Sequence, residues 1–511
     1  MTFSRAVKIC LWFAGLVLIS AAVTAAILIA RFQPVARAYI LAALRERYKS
    51  NVQLGNLQIT LFPAVHAVGD NLVLRLADRP GAPPMIVIRR FTIDARLPGF
   101  FSYPKRIDRV RLEGLQIHIP PKSPATGHSS PVTPFVLEEV VADETTLETL
   151  PADPKKDPLT FAIHKLTLHS VGPGRPMTFR AELDNARPPG LIHSSGNFGP
   201  WDQDEPGDTP VDGKYTFSHA DLSVFKGIRG MLASTGDYRG QLNRIDVHGV
   251  TDVPAFSLTT GGRALPLHTE FNATVDGTNG DTTLHPVRAL LGRSPFEISG
   301  SIERHALETH KEIDLAARTN SAAIEDFLRL SLSGPAPMKG TIGFDTKVRI
   351  PPGETPVIER MQLAGMFTLR GVTFTSTQVQ QKIASLSHHA QGQPKDTDVT
   401  GVLAQFGGRF SLRGGVLTLA QLSFEVPGAN VTLDGTYKLQ SGDIDFRGTA
   451  KLDATISQMT TGVKRVLLKP LDPLFRRDGA GTVLPITITG TRGSPSFHVE
   501  IGRALKREAK R

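Results

Sequence analysis

Histidine pairs, neighbouring carboxylates, a glycine-flanked lysine and a basic terminus are the features of this chain that could do chemistry. A phosphate cradle needs Gly, four residues, then Gly-Lys followed by Ser or Thr. The nearest approach, Gly207 to Tyr215, has five residues between its glycines, ends in Tyr and leads into a strand pattern. No Gly-x-Ser-x-Gly elbow is present, so nucleophilic hydrolysis of that kind has no carrier. His305 and His310 stand five apart, the wrong spacing for one helix face, and lack the Glu of a zincin, while His388 and His389 are adjacent. Solvated or structural roles explain both pairs better than a metal does. Asp443 and Asp445 alternate along the polar side of a strand, the ordinary place for solvated carboxylates. Arg503, Lys506, Arg507, Lys510 and Arg511 could each gain roughly 1 kcal/mol beside anionic lipid headgroups. A solvated tail is the simpler reading. Nothing here builds an enzyme, and no cofactor or metal ligand set is expected.

The elements that remain must therefore carry function by shape. The chain has 511 residues, enough for about three domains or one elongated array, and a sizeable core. Apolar residues make up 40%, and 47 Gly raise that to the level of folded chains. With 37 Pro besides, turns and strand ends should be frequent and a helical bundle is disfavoured. A formal charge of +10 spread over this length is a mild bias, so nucleic acid is not an expected partner. Cys10 is the only cysteine, which excludes disulfides and Cys-based zinc sites.

From Asn51 onward the dominant signal is alternation with period two, the mark of strands with one apolar and one polar face. One hexamer style recurs as a polar or Gly position followed by Leu and alternating apolar residues: Asn56 to Leu61, Asn71 to Leu76, Gly114 to Ile119 and Gln421 to Val426. A second style begins with Gly at Gly213, Gly365, Gly408, Gly435 and Gly448, and reads as a new strand opening after a tight turn. Spacing is irregular, so the pattern is a meander of similar hairpins and no fixed-period solenoid. Near the C-terminus the apolar face collects Val431, Leu433, Tyr437 and Leu439, then Ile444, Phe446 and Leu452. With two Trp and six Tyr in the whole chain, that face reads as mostly aliphatic. Helical patterns are few: Asn320 to Leu332 behind an Asn cap, roughly Thr377 to His388, and Val463 to Leu468. Pro120 to Pro134 and Pro151 to Pro158 read as loops.

Ile9 to Ala30 is 22 residues without a charged side chain, long enough at 1.5 Å per residue to cross a hydrocarbon core of about 30 Å. Ala22 to Ala26 offers small residues for a cleavable signal, but the apolar run continues through Ile27-Leu28-Ile29. A retained anchor fits better. Arg31, Arg37, Arg45, Arg47 and Lys49 outnumber Arg5 and Lys8, so flanking charge does not set the orientation. Val35 to Tyr48 reads as a short helix continuing from the span.

Two regions resemble the AsmA-like family of Gram-negative-type bacteria. Val52-Gln53-Leu54-Gly55-Asn56-Leu57 through Phe62-Pro63 and Asn71-Leu72-Val73-Leu74, just after an apolar span, resemble that family's N-terminal segment. The C-terminal likeness is more specific: Phe424 to Ala429, Leu433 to Tyr437, Asp445 to Gly448, Leu467 to Phe475 and Gly479 to Thr491. Gly196 to Trp201 and Lys382 to Ser387 look similar too. The resemblance implies an inner-membrane anchor through residues 9–30 and a periplasmic body. It also implies kinship with bridge-like lipid-transfer proteins, in which a repeating β-groove carries phospholipid acyl chains, and a part in outer-membrane assembly beside envelope protein partners. It supplies no catalytic residues.

The expected fold is mainly β, an elongated, curved, antiparallel sheet or groove with a few short helices, behind one N-terminal transmembrane helix. Its divisions run 1–31 (cytoplasmic tip and anchor), 32–119 (N-terminal β segment), 120–158 (Pro-rich loops around a short β segment), 159–360 (central groove), 361–502 (C-terminal β region) and 503–511 (basic tail). A one-sided sheet hides its apolar face by closing into a sandwich or by curling into a trough. The sequence does not choose between them. The trough gives phospholipid transport between membranes, with Val431, Leu433, Tyr437, Leu439, Ile444, Phe446 and Leu452 lining the groove. The sandwich gives an assembly factor with a closed β core and no lipid conduit.

Overall fold

The computed structural model describes Ala38 and Ser50 to Val499, less residues 77–82, 101, 120–134, 150–158, 173, 187, 203–204, 226, 260–261, 305–310, 354, 356, 396–401, 462, 476–478 and 492–493. The span expected at Ile9 to Ala30, the helix expected after it, both proline-rich stretches, His305, His310 and the basic tail lie outside the described residues. Among those described, no helix is long and apolar enough to cross a membrane.

The chain is mainly β and forms two compact units. The first comprises Met1–Ala186, Leu191–Tyr215 and Arg239–Asn243; the second comprises Arg187–Gly190, Thr216–Tyr238 and Arg244–Arg511. Strands of the first unit are β1 (Ser50–Gln53), β2 (Leu57–Thr60), β3 (Val65–Leu76), β4 (Ile86–Ala95), β5 (Lys105–Ile119), β6 (Phe135–Thr149), β7 (Leu159–Val171) and β8 (Met177–Ala186). Next come β9 (Pro189–Phe198), β10 (Pro210–Asp221), β11 (Ile228–Arg229) and β12 (Met231–Gln241). The rest of the second unit holds β13 (Arg244–Leu258), β14 (Leu265–Val275), β15 (Thr282–Leu291), β16 (Ser294–Glu303), β17 (Glu312–Ala323), β18 (Met338–Ile350), β19 (Gln362–Phe374), β20 (Ala404–Arg413), β21 (Val416–Val426), β22 (Ala429–Lys438), β23 (Asp443–Leu452), β24 (Thr482–Thr491) and β25 (Ser494–Val499).

In the first unit β1 and β2 both lie against β3, pairing Val52 with Leu74 and Ile59 with Ala67. Antiparallel pairing continues through β4 to β5 and from β6 through β7 to β8. Between them β5 and β6 run parallel, from Lys105 beside Phe135 to Ile119 beside Thr149. This one parallel pair in a mainly antiparallel order requires the chain to return the length of the strand between β5 and β6.

In the second unit every strand from β13 to β25 pairs antiparallel with the next, which is the expected meander. Twelve steps of about 4.8 Å make this ladder roughly 58 Å long. Bulges interrupt successive strands, for example between Thr319 and Ala322, Leu369 and Val372, and Leu419 and Leu422. Each extra residue bends its strand and resets the alternation, so that residues three apart face the same way.

The two recurring sequence styles take their meaning here. Asn71, Gly114 and Gln421 lead three of the hexamers, and each has positive φ (53°, 64° and 52°) inside a strand. They are kinks that restart the apolar face. The second style is corrected: Gly213, Gly365, Gly408, Gly435 and Gly448 lie within β10, β19, β20, β22 and β23, not at strand starts. Close approach of the next strand explains two of them. A Cβ on Gly435 would sit 2.2 Å from Asp445 O, and one on Gly448 1.8 Å from Thr432 O.

Among the described residues, three helices of more than one turn accompany the second unit: α1 (Ile324–Ser331), α2 (Thr377–Ala390) and α3 (Val463–Leu468). The expected Asn320 cap is corrected, since Asn320 remains in β17 and α1 begins after Ala323, which has no capping side chain. Ser294 and Asp326 fix this helix start. The Ala323 N–H donates to Ser294 Oγ (3.0 Å), and that hydroxyl donates to Asp326 Oδ2 (2.9 Å), both side chains being buried. At α2, Ser376 caps conventionally through Val379 N–H.

Candidate lipid-binding face

Register decides which side chains share a face. Val431 pairs with Ala450, Leu433 with Gly448, Gly435 with Phe446, and Tyr437 with Ile444, while Ala429 stands opposite Leu452. Six of the seven residues expected to line a groove therefore lie on one side of β22 and β23. Leu439 is the exception. It follows the end of β22, its N–H donates to Gly415 O (2.9 Å) in a neighbouring turn, and its side chain is exposed. A strand that has ended no longer obeys the alternation that placed Leu439.

The same face continues in both directions. Ala450, Gly448 and Phe446 stand beside Leu484, Ile486 and Ile488 of β24, while Val431 and Leu433 stand beside Phe424 and Leu422 of β21. From β13 to β24 the register places no charged side chain on this face among the described residues. Charges collect on the other side, as in Arg318 with Glu297 (2.7 Å) and Arg447 with Asp445 (3.5 Å). There the Ser441 hydroxyl, aided by Lys438, holds the Asp443 carboxyl below the usual carboxylate range. Asp443 and Asp445 are thus solvated, as read from the sequence.

The two rims differ. α1, α2 and α3 lie in connections that leave the strands at one rim: after β17, after β19 and after β23. α2 is pinned there by Ser387 Oγ donating to Pro427 O (2.7 Å) and Gln380 Nε2 donating to Val402 O (2.9 Å). Under this cover Val372, Ala404, Val426, Ala429 and Leu452 form a buried cluster with Ala384 and Ala390 of α2. The described connections at the opposite rim are turns and one single-turn helix, Val357–Arg360. Toward this rim Val348, Leu363, Leu417, Tyr437 and Ile444 are only half-buried.

Between the rims runs a row of phenylalanines that the count of Trp and Tyr missed. Phe296, Phe344, Phe367, Phe406, Phe410, Phe424 and Phe446 lie on the apolar face, and all are half-buried. Ring centroids lie 5.0 Å apart for Phe406 and Phe424 and 6.3 Å for Phe367 and Phe410, while Phe327 of α1 joins Phe296 (6.1 Å) to Phe344 (5.7 Å). The face is mostly aliphatic, as read from the sequence, and carries this aromatic row along its middle. The signal lay in the composition, where 26 Phe stand against two Trp and six Tyr. A ring without a polar tip suits a surface that offers it no hydrogen-bond partner.

The thirteen strands form one ladder, so no second ladder among them packs on this face. Val431, Leu433 and Leu452 are buried near the helical rim, and Phe446, Ile444 and Tyr437 lie progressively nearer the open one. Such an arrangement can hold a flexible apolar chain without any directional contact. No group of three or more metal-ligating side chains occurs among the described residues. Comparison with protein-family models, curated proteins and solved structures finds no match for the chain.

Proposed function

We propose that this protein binds phospholipid acyl chains along the apolar face of its second unit and moves them between membranes of a bacterial envelope. In this reading it is anchored in the inner membrane by Ile9 to Ala30, its bulk is periplasmic, and its transport contributes to outer-membrane assembly. The observation that carries the reading is the row of half-buried phenylalanines on a charge-free face. In a packed core such rings would be covered, since interiors are as dense as organic crystals. An apolar expanse of this length is otherwise an aggregation liability, and lipid is the occupant that covers it while remaining mobile. At about 58 Å the face is several times the roughly 15 Å of one leaflet's hydrocarbon, which suits a path for successive lipids better than a pocket for one.

The test is photocrosslinking from position 446 in cells, joined to lipid extraction and native mass spectrometry of the purified full-length chain. Phospholipid crosslinked at 446, in excess of lipid held around the anchor, is the expected result. No crosslink there, with no copurifying lipid beyond the anchor's, rejects the conduit and leaves the closed assembly factor.

A further inference from the structure

The two most exposed large hydrophobic side chains in the described structure belong to the first unit and lie at one rim of it. Phe62 and Tyr103 are both 82% exposed. Phe62 sits in the turn between β2 and β3, and Tyr103 in the connection between β4 and β5. Thr60 pairs with His66, His66 with Asp94, and Asp94 with Arg109, which brings both connections out at the same end of the strands. Their centres are two strand spacings apart, about 10 Å.

We propose that this rim inserts into the interfacial layer of a lipid bilayer, with Phe62 and Tyr103 as the penetrating side chains. Three features favour a bilayer over a protein partner. Both rings project from loops stiffened by a following proline, Pro63 and Pro104, and Ser102 Oγ lies within hydrogen-bond distance of Gly99 O (2.7 Å) and Pro104 O (2.8 Å), its one proton serving either, so the Tyr103 loop is closed upon itself. Neighbouring ions satisfy each other: Arg96 donates to Asp108 (2.6 Å), Arg109 to Glu139 (2.5 Å), and Arg106 approaches Glu138 (3.6 Å). Little charge is left to steer or specify a protein surface, whereas amphipathic and aromatic rings are at home at headgroup depth. Last, residues 31–49 join the expected span to Ser50; with Val35 to Tyr48 helical at about 1.5 Å per residue and the other five extended they reach about 38 Å, and Ser50, paired with Leu76, lies about 36 Å along β3 from this rim, so the bilayer that holds the span is within reach of it. The inference thus rests on the anchor reading but not on lipid transport by the second unit.

The experiment uses the full chain in phosphatidylcholine vesicles, with Cys10→Ser removing its only cysteine and Ala64→Cys carrying a nitroxide between the intact aromatics. Collision with oxygen is compared with collision with a water-soluble nickel chelate. A label at Met366→Cys, exposed on the outer face of the second unit, is the aqueous reference. The expected oxygen preference at 64 is severalfold above that reference. It falls to the reference in Phe62→Ser/Tyr103→Ser, whose exposed sites leave the far-ultraviolet strand spectrum unchanged. It persists in salt between about 0.05 and about 0.5 M, because the rim's arginines already hold its carboxylates and the Lys105 ammonium lies over the Phe135 ring (5.8 Å).

Flotation of the same vesicles reads the anchor separately. A chain that floats while position 64 reads aqueous overturns the inference and leaves the anchor standing. A chain that does not float overturns the anchor and with it the reach argument. An immobilised but aqueous label indicates protein contact and also overturns it, as does immersion that requires anionic lipid or vanishes in salt.

Discussion

The two units are built from the same alternating strands and treat their apolar faces differently. In the first, Ile88, Phe91, Leu115 and Ala142 are buried in one cluster that Leu54 joins from the bend between β1 and β2. Leu61 and Leu97, from connections at the rim, pack against a second cluster around Val65, Ile107 and Val140. In the second unit the described helices α1, α2 and α3 emerge at one rim and cover it, and the phenylalanine row beyond it stays half-buried. Alternation therefore identifies which side of a strand is apolar, while the connections decide whether that side becomes core or trough.

The sharpest way to break this contrast is to place one carboxylate in each face. Phe91→Asp buries an unpaired charge and should cost about 4 kcal/mol or more, leaving little folded protein. Phe446→Asp should cost only about 1–2 kcal/mol, because the half-open site lets water reach the charge, yet lipid crosslinking from position 444 should be lost. Urea unfolding of both variants decides; equal losses would mean that the second face is as closed as the first.

A smaller effect tests the connections. Parallel pairing puts Ile119 and Phe135 at opposite ends of strands about 46 Å long. Ten Cα–Cα steps reach at most about 36 Å, so deleting six residues from 120–134 should detach β6 from β5. The same number added between Gly414 and Gly415 of the second unit should be tolerated, since a hairpin turn has no distance to cover. Proteolysis of the two variants distinguishes them, and a fully protected deletion variant would refute the parallel register.

Within the second unit, Leu433→Ala should cost about 2–3 kcal/mol and Leu439→Ala less than about 0.5 kcal/mol, because only Leu433 is buried. Similar losses would return Leu439 to the face. The smallest expected effects come from titration and run in the same direction, stability rising with pH in two separate windows. Arg96 donates to Asp108 and holds its carboxyl below the usual range, so the stability it contributes to the first unit is present above the unfolded value near 4 and lost as pH falls through the folded one. Burial pushes the Lys311 ammonium down against the pull of Asp281, so the second unit gains stability as pH rises from the folded value toward about 10.4. Each should amount to less than about 1 kcal/mol at such partly exposed sites. Asp108→Asn should flatten the acid limb and Lys311→Met the alkaline one in pH-dependent unfolding.

Much of the second unit was legible because period-two alternation is a local property. The faces of β22 and β23 and the positions of α2 and α3 follow from it and from ordinary helix signals. What failed was non-local. Gly435 and Gly448 read as turns because glycine usually punctuates, yet here a neighbouring strand leaves no room for a Cβ. Asn320 read as a cap because its competitor, Ser294, is 26 residues away in sequence. The β5–β6 pairing has no marker in either strand. Nothing in the sequence marks the loops of Phe62 and Tyr103 as neighbours; the register alone places them at one end of the unit.

One consequence of the meander concerns how it is made and lost. Since each strand from β14 to β24 pairs with its neighbours in sequence, most pairings join residues a few tens of positions apart, and each hairpin can form as soon as it is synthesised. Such a chain behaves as a row of coupled segments in which stability is a sum over neighbours. Melting can then begin at the β25 edge and travel inward without a single transition, and duplicating one hairpin would lengthen the face by about 10 Å while leaving the remaining pairs in register.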